Sequence, residues 1–105
     1  MNEKLELEKL RNEIATVTFK ILDLCGKRIE LARKIAVVKS KMGLPIENPE
    51  VERDLKRRVL KFCHENNVDD DFCTKLFELL ISESKRVQKE VIKSKSLEEI
   101  HKAEG

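Results

Sequence analysis

Arg28 is a permanent cation set into an otherwise apolar helical seam. Leu7, Leu10, Ile14, Val17, Ile21, Leu24, Arg28, Leu31, Ile35, Val38 and Met42 follow one another at alternating steps of three and four, an a/d heptad pattern. A guanidinium in such a seam needs a partner of opposite charge. The seam contains no carboxylate, so the partner is either a carboxylate on another helix or a bound anion. Lys39 lies eleven residues further on, close to three whole turns, so it projects from nearly the same side about 16 Å along the axis. Two long basic side chains leaning toward each other can grip one small dianion, Arg by a bidentate fork and Lys as a point charge. Arg11 stands seventeen residues before Arg28, about 25 Å away on the same helix. It reaches the same ligand only from a symmetry mate, in an antiparallel two-fold pairing of long helices that creates two equivalent shared sites.

A second constellation is Ser84 and Gln88, four apart and stacked on one side of an otherwise apolar face. They can hydrogen-bond a ligand or simply join two helices. Plainer readings exist for the others too. Arg11 suits a solvated seam edge, Lys39 with Lys41 complements a helix C-terminus, and Glu52 complements a helix N-terminus. Three cysteines, Cys25, Cys63 and Cys73, and two histidines, His64 and His101, are the available soft ligands. There is no C-x-x-C spacing, and adjacent Cys63-His64 is a poor chelate, so the cysteines read as small reduced core residues and no metal or cofactor is expected.

These residues must be positioned by helices. The first is expected from about Leu5 to Met42, about 55 Å long. Gly26 inside it costs about 1 kcal/mol against Ala, and Gly43-Leu44-Pro45 ends it. The second opens at Asn48-Pro49, an N-cap followed by Pro at the first helical position. It turns Leu55, Val59 and Phe62 inward and ends near Glu65, before the turn signal Asn66-Asn67. The third opens at Val68-Asp69-Asp70-Asp71 and carries Phe72, Leu76, Phe77, Leu80, Ile81, Val87 and Val91 on its apolar face. Residues 1–93 are expected to form the helical domain, and the polar stretch 94–105 a tail that is either frayed or adds a helical turn or two.

Composition agrees with an all-α fold of three helices, one very long, one short and one medium. Aromatics are 4%, charged residues 40%, and there are three Gly and two Pro in 105 residues. A few long helices in so short a chain enclose little core, so oligomerisation is expected. The formal net charge of +2, from interspersed charges, supplies no general field for nucleic acid or a membrane. No apolar leader or membrane span is visible, and a cytoplasmic protein is expected.

Taken together the pattern resembles the AroQ class of chorismate mutases. The likeness covers about residues 5–92. It rests on Leu10-Arg11-Asn12-Glu13-Ile14, on Arg28 with Glu30-Leu31-Ala32, and on Ile35 and Lys39. It continues through Pro45-Ile46 before Asn48, Glu52-Arg53, and Phe77, Ile81, Ser84 and Gln88. The resemblance implies an intertwined homodimer whose long first helices line both sites. It implies that Arg28, with Arg11 of the other chain, binds the substrate carboxylates. Lys39 would contact a carboxylate and the ether oxygen, Gln88 the same ether oxygen, and Ser84 a carboxylate. Glu52 and the backbone near Asn48 would hold the ring hydroxyl, with Ile35, Leu55 and Ile81 as the apolar wall. The implied reaction, chorismate to prephenate, is a unimolecular [3,3] rearrangement that asks for orientation and for stabilisation of charge on the ether oxygen.

The sequence departs from the family's pattern at Val51, where members commonly carry Arg before the glutamate, and at Asn48, where Asp is frequent. The rim of the implied site is then one cation short, and Arg at position 51 is expected to lower KM. Two other functions fit the same residues. One is an isochorismate-pyruvate lyase on this scaffold, and the other a helical dimer that binds a pathway metabolite without turnover.

Overall fold

Residues 3–42 contain no proline and only one glycine, and they form a single helix, α1, Glu3–Met42. The computed structural model describes residues 2–104, with the side chains of 101, 103 and 104 left aside. Gly43 ends α1 in the left-handed region, φ 67°, and lets the Leu44 N–H reach back to the Lys39 carbonyl at 2.9 Å. A side chain at that φ would be strained, which is why glycine stands there. Helix α2, Pro49–Glu65, is capped by Asn48, whose Oδ1 accepts from the Val51 N–H at 3.2 Å. Helix α3, Asp70–Glu104, is capped in the same way by Asp69, which accepts from the Phe72 N–H at 2.9 Å. The described residues are thus all-helical in three pieces, as the composition and caps predict.

Helix α3 is the hub, and α1 and α2 both pack on it. The Glu52–Lys85 and Cys63–Cys73 contacts show α2 and α3 antiparallel, since partner numbers fall on one helix as they rise on the other. The small core consists of Ala32 and Ala36 of α1 and of Cys73, Phe77 and Val87 of α3, with Cys73 turned toward α2, where it meets Cys63 and the Val59 carbonyl. Alanine at 32 and 36 removes side-chain bulk, so two backbones approach closely there and Val87 is completely enclosed.

The heptad seam is largely open in the single chain, in line with the little core expected of it, while other sequence expectations need correction. Ile14, Leu31 and Val38 are all more than half exposed, and every residue from 2 to 24 is exposed. The alanine stripe beside the seam faces α3 instead, because small residues permit the closer contact. Phe62 and Phe72, expected to point inward, are exposed near the α2–α3 turn. Helix α3 continues past Lys93 through residues 94–104, where neither Gly nor Pro interrupts it.

The cysteines also differ from the expectation of three free thiols. Cys63 and Cys73 form a disulfide, with Cα atoms 6.5 Å apart, and only Cys25 is free. The turn after Glu65 folds the start of α3 back on the end of α2. That brings two residues ten apart in sequence face to face.

Candidate active site

Where α1, the loop before α2, and α3 meet, they leave a cleft of about 380 Å³, within the range of small-molecule sites. Arg28, Leu31, Ala32, Ile35 and Lys39 line it from α1, and Ile46 and Asn48 from the loop. Helix α2 gives Val51 and Glu52, and α3 gives Ile81, Ser84, Lys85 and Gln88. The residues on α1 and on α3 follow the three-and-four spacing of one helix face.

Arg28 is half-buried and reaches across to α3. Its Nη1 donates to the Leu80 carbonyl at 2.8 Å and to Ser84 Oγ. Both acceptors are neutral, so they fix the guanidinium without cancelling its charge. Lys39 Nζ donates to the Ile46 carbonyl, another neutral acceptor, which ties the end of α1 to the loop. Among the described residues neither Arg28 nor Lys39 has a carboxylate within ion-pair distance. The helix–helix ion pair that could have explained Arg28 is therefore absent there, and the two cations remain uncompensated beside a cleft.

Gln88 is only 7% exposed, and its Oε1 has no hydrogen-bond partner. A buried amide oxygen left without a donor costs about 1–3 kcal/mol, and this one lies on the wall of the cleft. Half a turn about the last side-chain torsion exchanges O and N, which presents an NH₂ donor at the same place.

Glu52 stands at the other side of the cleft, and its Oε1 is 2.9 Å from Lys85 Nζ. Glu47 approaches the same ammonium at 3.7 Å. Hydrogen bonding to Glu52 raises the Lys85 pKa above the usual lysine value, with partial desolvation opposing, so Lys85 is charged throughout the neutral range.

Of the residues singled out in the sequence, the cleft brings together Arg28, Ile35, Lys39, Asn48, Glu52, Ile81, Ser84 and Gln88. Leu55 is half-buried one turn further along α2 and does not line it. Arg11 lies on the solvent-exposed first half of α1, far from the cleft of its own chain. Lys85 lines the cleft and was missed, because a lysine next to Ser84 looks like an ordinary solvated charge. Its position three residues before Gln88 was the available signal. Among the described residues no three His, Cys, Asp or Glu side chains gather as a metal site, and the His101 side chain lies outside them.

The sequence has relatives among known proteins. The chain is 37% identical over 87 residues to the chorismate mutase of Methanocaldococcus jannaschii, covering 83% of this chain and 88% of that one. It is 32% identical over 97 residues to the 4-amino-4-deoxychorismate mutase of Streptomyces venezuelae, covering 92% and 94%. It is 34% identical over 92 residues to the bifunctional chorismate mutase/prephenate dehydratase of Buchnera aphidicola, covering 88% of this chain and 24% of that larger protein. The family model of type II chorismate mutases matches residues 10–89, which include every polar residue of the cleft, and the chain belongs to that family.

Proposed function

We propose that the protein is an isomerase that converts chorismate to prephenate for phenylalanine and tyrosine biosynthesis. The observation that carries this reading is the pair of uncompensated cations, Arg28 and Lys39, facing the buried amide of Gln88 across one cleft. Chorismate is a dianion with an ether oxygen between its two halves. Arg28, already oriented by Leu80 and Ser84, binds one carboxylate through its remaining N–H donors. Lys39 binds a carboxylate and points a second donor at the ether oxygen. The amide NH₂ of Gln88 donates to the same oxygen.

In the rearrangement the ether C–O bond breaks while a C–C bond forms between the two halves of the same molecule. Electrons move in a ring, no proton is transferred, and no nucleophile attacks. The side chains therefore do two things. They hold the flexible substrate in its folded reactive conformer. They also place fixed donors where negative charge grows on the ether oxygen, an interaction stronger in the transition state than in the ground state. Glu52 and the backbone at Asn48 hold the ring hydroxyl, and Ile35 and Ile81 supply the apolar wall.

The active form we propose is a homodimer. The protomer has a radius of gyration of 19.5 Å, against about 13 Å for a compact chain of this length. The first half of α1 leaves Leu7, Leu10, Ile14, Val17, Ile21 and Leu24 unburied, an apolar stripe suited to a second long helix. A two-fold pairing covers the stripe and carries Arg11 toward the partner's cleft, where it adds a further cation. No described helix is long and apolar enough to cross a membrane, and the setting we propose is the cytoplasm.

The test is turnover of chorismate by the purified protein, with isochorismate and 4-amino-4-deoxychorismate run beside it. Prephenate formation in clear preference is expected. Pyruvate release from isochorismate at a higher kcat/KM would assign the lyase reaction instead, and binding without turnover would make the protein a metabolite sensor.

A further inference from the structure

The cleft has a rim cation that comes from an unexpected helix. Val51 lines the α2 side and is uncharged. Facing it from α3 is Lys85, which lines both the cleft and the adjoining hollow formed with Pro49, Arg53 and Phe77, and so stands on the ridge between them. Its side chain is 27% exposed, partly sheltered yet open to an incoming ligand. Glu52 holds the ammonium at 2.9 Å, and Glu47 is at 3.7 Å, beyond direct hydrogen-bond range. An ammonium has three N–H donors, so two remain for a ligand.

The charges lining the cleft make the same point. Arg28, Lys39 and Lys85 are positive and Glu52 is negative, a net +2 within one protomer. Without Lys85 the protomer's own contribution falls to +1, because Glu52 offsets one of the two cations of α1. The Lys85–Glu52 pair has a second consequence. Glu52 alone would attract a cationic amine, whereas Glu52 beside Lys85 is locally neutralised and suits a neutral hydroxyl.

We infer that Lys85 is a substrate-binding residue of this enzyme, the rim cation that contacts a carboxylate of the bound dianion in place of a basic side chain at position 51. The inference rests on the chorismate reading and deepens it. It revises the expectation that the site is one cation short, and with it the expectation that Arg at 51 lowers KM in the otherwise unaltered protein.

The test is a substitution cycle at positions 85 and 51, with KM and kcat for chorismate measured on folded protein. Lys85→Met keeps the aliphatic stem and removes the charge, and it is expected to raise KM about tenfold while kcat changes by about twofold or less, as removing a ground-state contact does. Lys85→Arg keeps KM within about threefold of wild type, because charge rather than shape is needed at a rim. Val51→Arg in the wild-type background changes KM by about twofold or less, whereas in the Lys85→Met background it returns KM to within about threefold of wild type. Lys85→Gln serves if the Met variant melts early. An unmoved KM in both uncharged variants overturns the role of Lys85, and so does failure of Val51→Arg to restore the Met variant. Wild-type protein that does not turn over chorismate overturns the parent reading instead, so the two failures are distinguishable.

Discussion

Replacing Gln88 by Glu turns a pH-independent donor into a titratable one. The wild-type amide donates at any ordinary pH. A carboxyl at the same place donates to the ether oxygen only while protonated, and once ionised it sets negative charge against the charge that grows there. Position 88 is 7% exposed, and burial favours the neutral acid, pushing its pKa above the usual value of about 4.3. Arg28 and Lys39 line the same cleft and pull the other way. Wherever the balance falls, the active protonated fraction drops about tenfold for each pH unit above the resulting pKa. Thus kcat/KM of Gln88→Glu is highest in acid and falls as pH rises, by up to about 100-fold over two units. The wild type shows no such limb. The assay is chorismate disappearance in a constant-ionic-strength buffer series, with folding checked at each pH by circular dichroism. A flat profile for Gln88→Glu at near wild-type rate, or the same acid-favoured limb in the wild type, refutes the assignment of Gln88 as donor to the ether oxygen.

Lys39→Ala, read by the same assay, lowers kcat/KM by about 10² or more, roughly 3 kcal/mol of transition-state stabilisation. Shared sites give a complementation test. Arg11→Ala and Arg28→Ala are each nearly inactive alone, but mixed in equal amounts and allowed to exchange subunits they recover about a quarter of wild-type activity, because each heterodimer has one intact site of two; no recovery after demonstrated exchange means that Arg11 does not act across the dimer. The Cys63–Cys73 bond leaves one titratable thiol in denatured protein, Cys25. Its reduction lowers stability by about 3 kcal/mol for so short a loop and leaves kcat/KM unchanged, since Cys73 is about 12 Å along α3 from Ile81; three thiols without reductant contradict the bond.

Much of this was readable from the sequence for identifiable reasons. The α1 and α2 boundaries followed from Gly43 with a left-handed φ, from Asn48 before Pro49, and from Asn66-Asn67, all local backbone requirements. Arg28, Ser84 and Gln88 were legible because each breaks an apolar helical face, whereas Lys39, Asn48 and Glu52 stand at helix ends and were drawn in by the family resemblance. What was not legible depended on which face met which neighbour. The seam from Leu7 to Met42 is the more hydrophobic stripe, yet Ala32 and Ala36 make the contact with α3, because close approach depends on small residues rather than greasy ones. Lys85 was hidden because one lysine among many is indistinguishable until its partners Glu52 and Glu47 are seen. The disulfide was hidden because spacing alone does not show that a turn brings positions 63 and 73 together. The length of α3 was hidden because polarity after Lys93 resembles a tail, although nothing there stops a helix.

Uncompensated cations in the α1–α3 cleft are proposed to hold a dianion for rearrangement. The most direct measurement is the rate of chorismate conversion to prephenate by wild-type protein and by Arg28→Ala, side by side at matched folded concentration. Efficient conversion by the wild type is expected, with a loss of kcat/KM of about 10² or more, roughly 3 kcal/mol, in the variant. Near-equal turnover by the two proteins, or a wild type that leaves chorismate intact, contradicts that proposal.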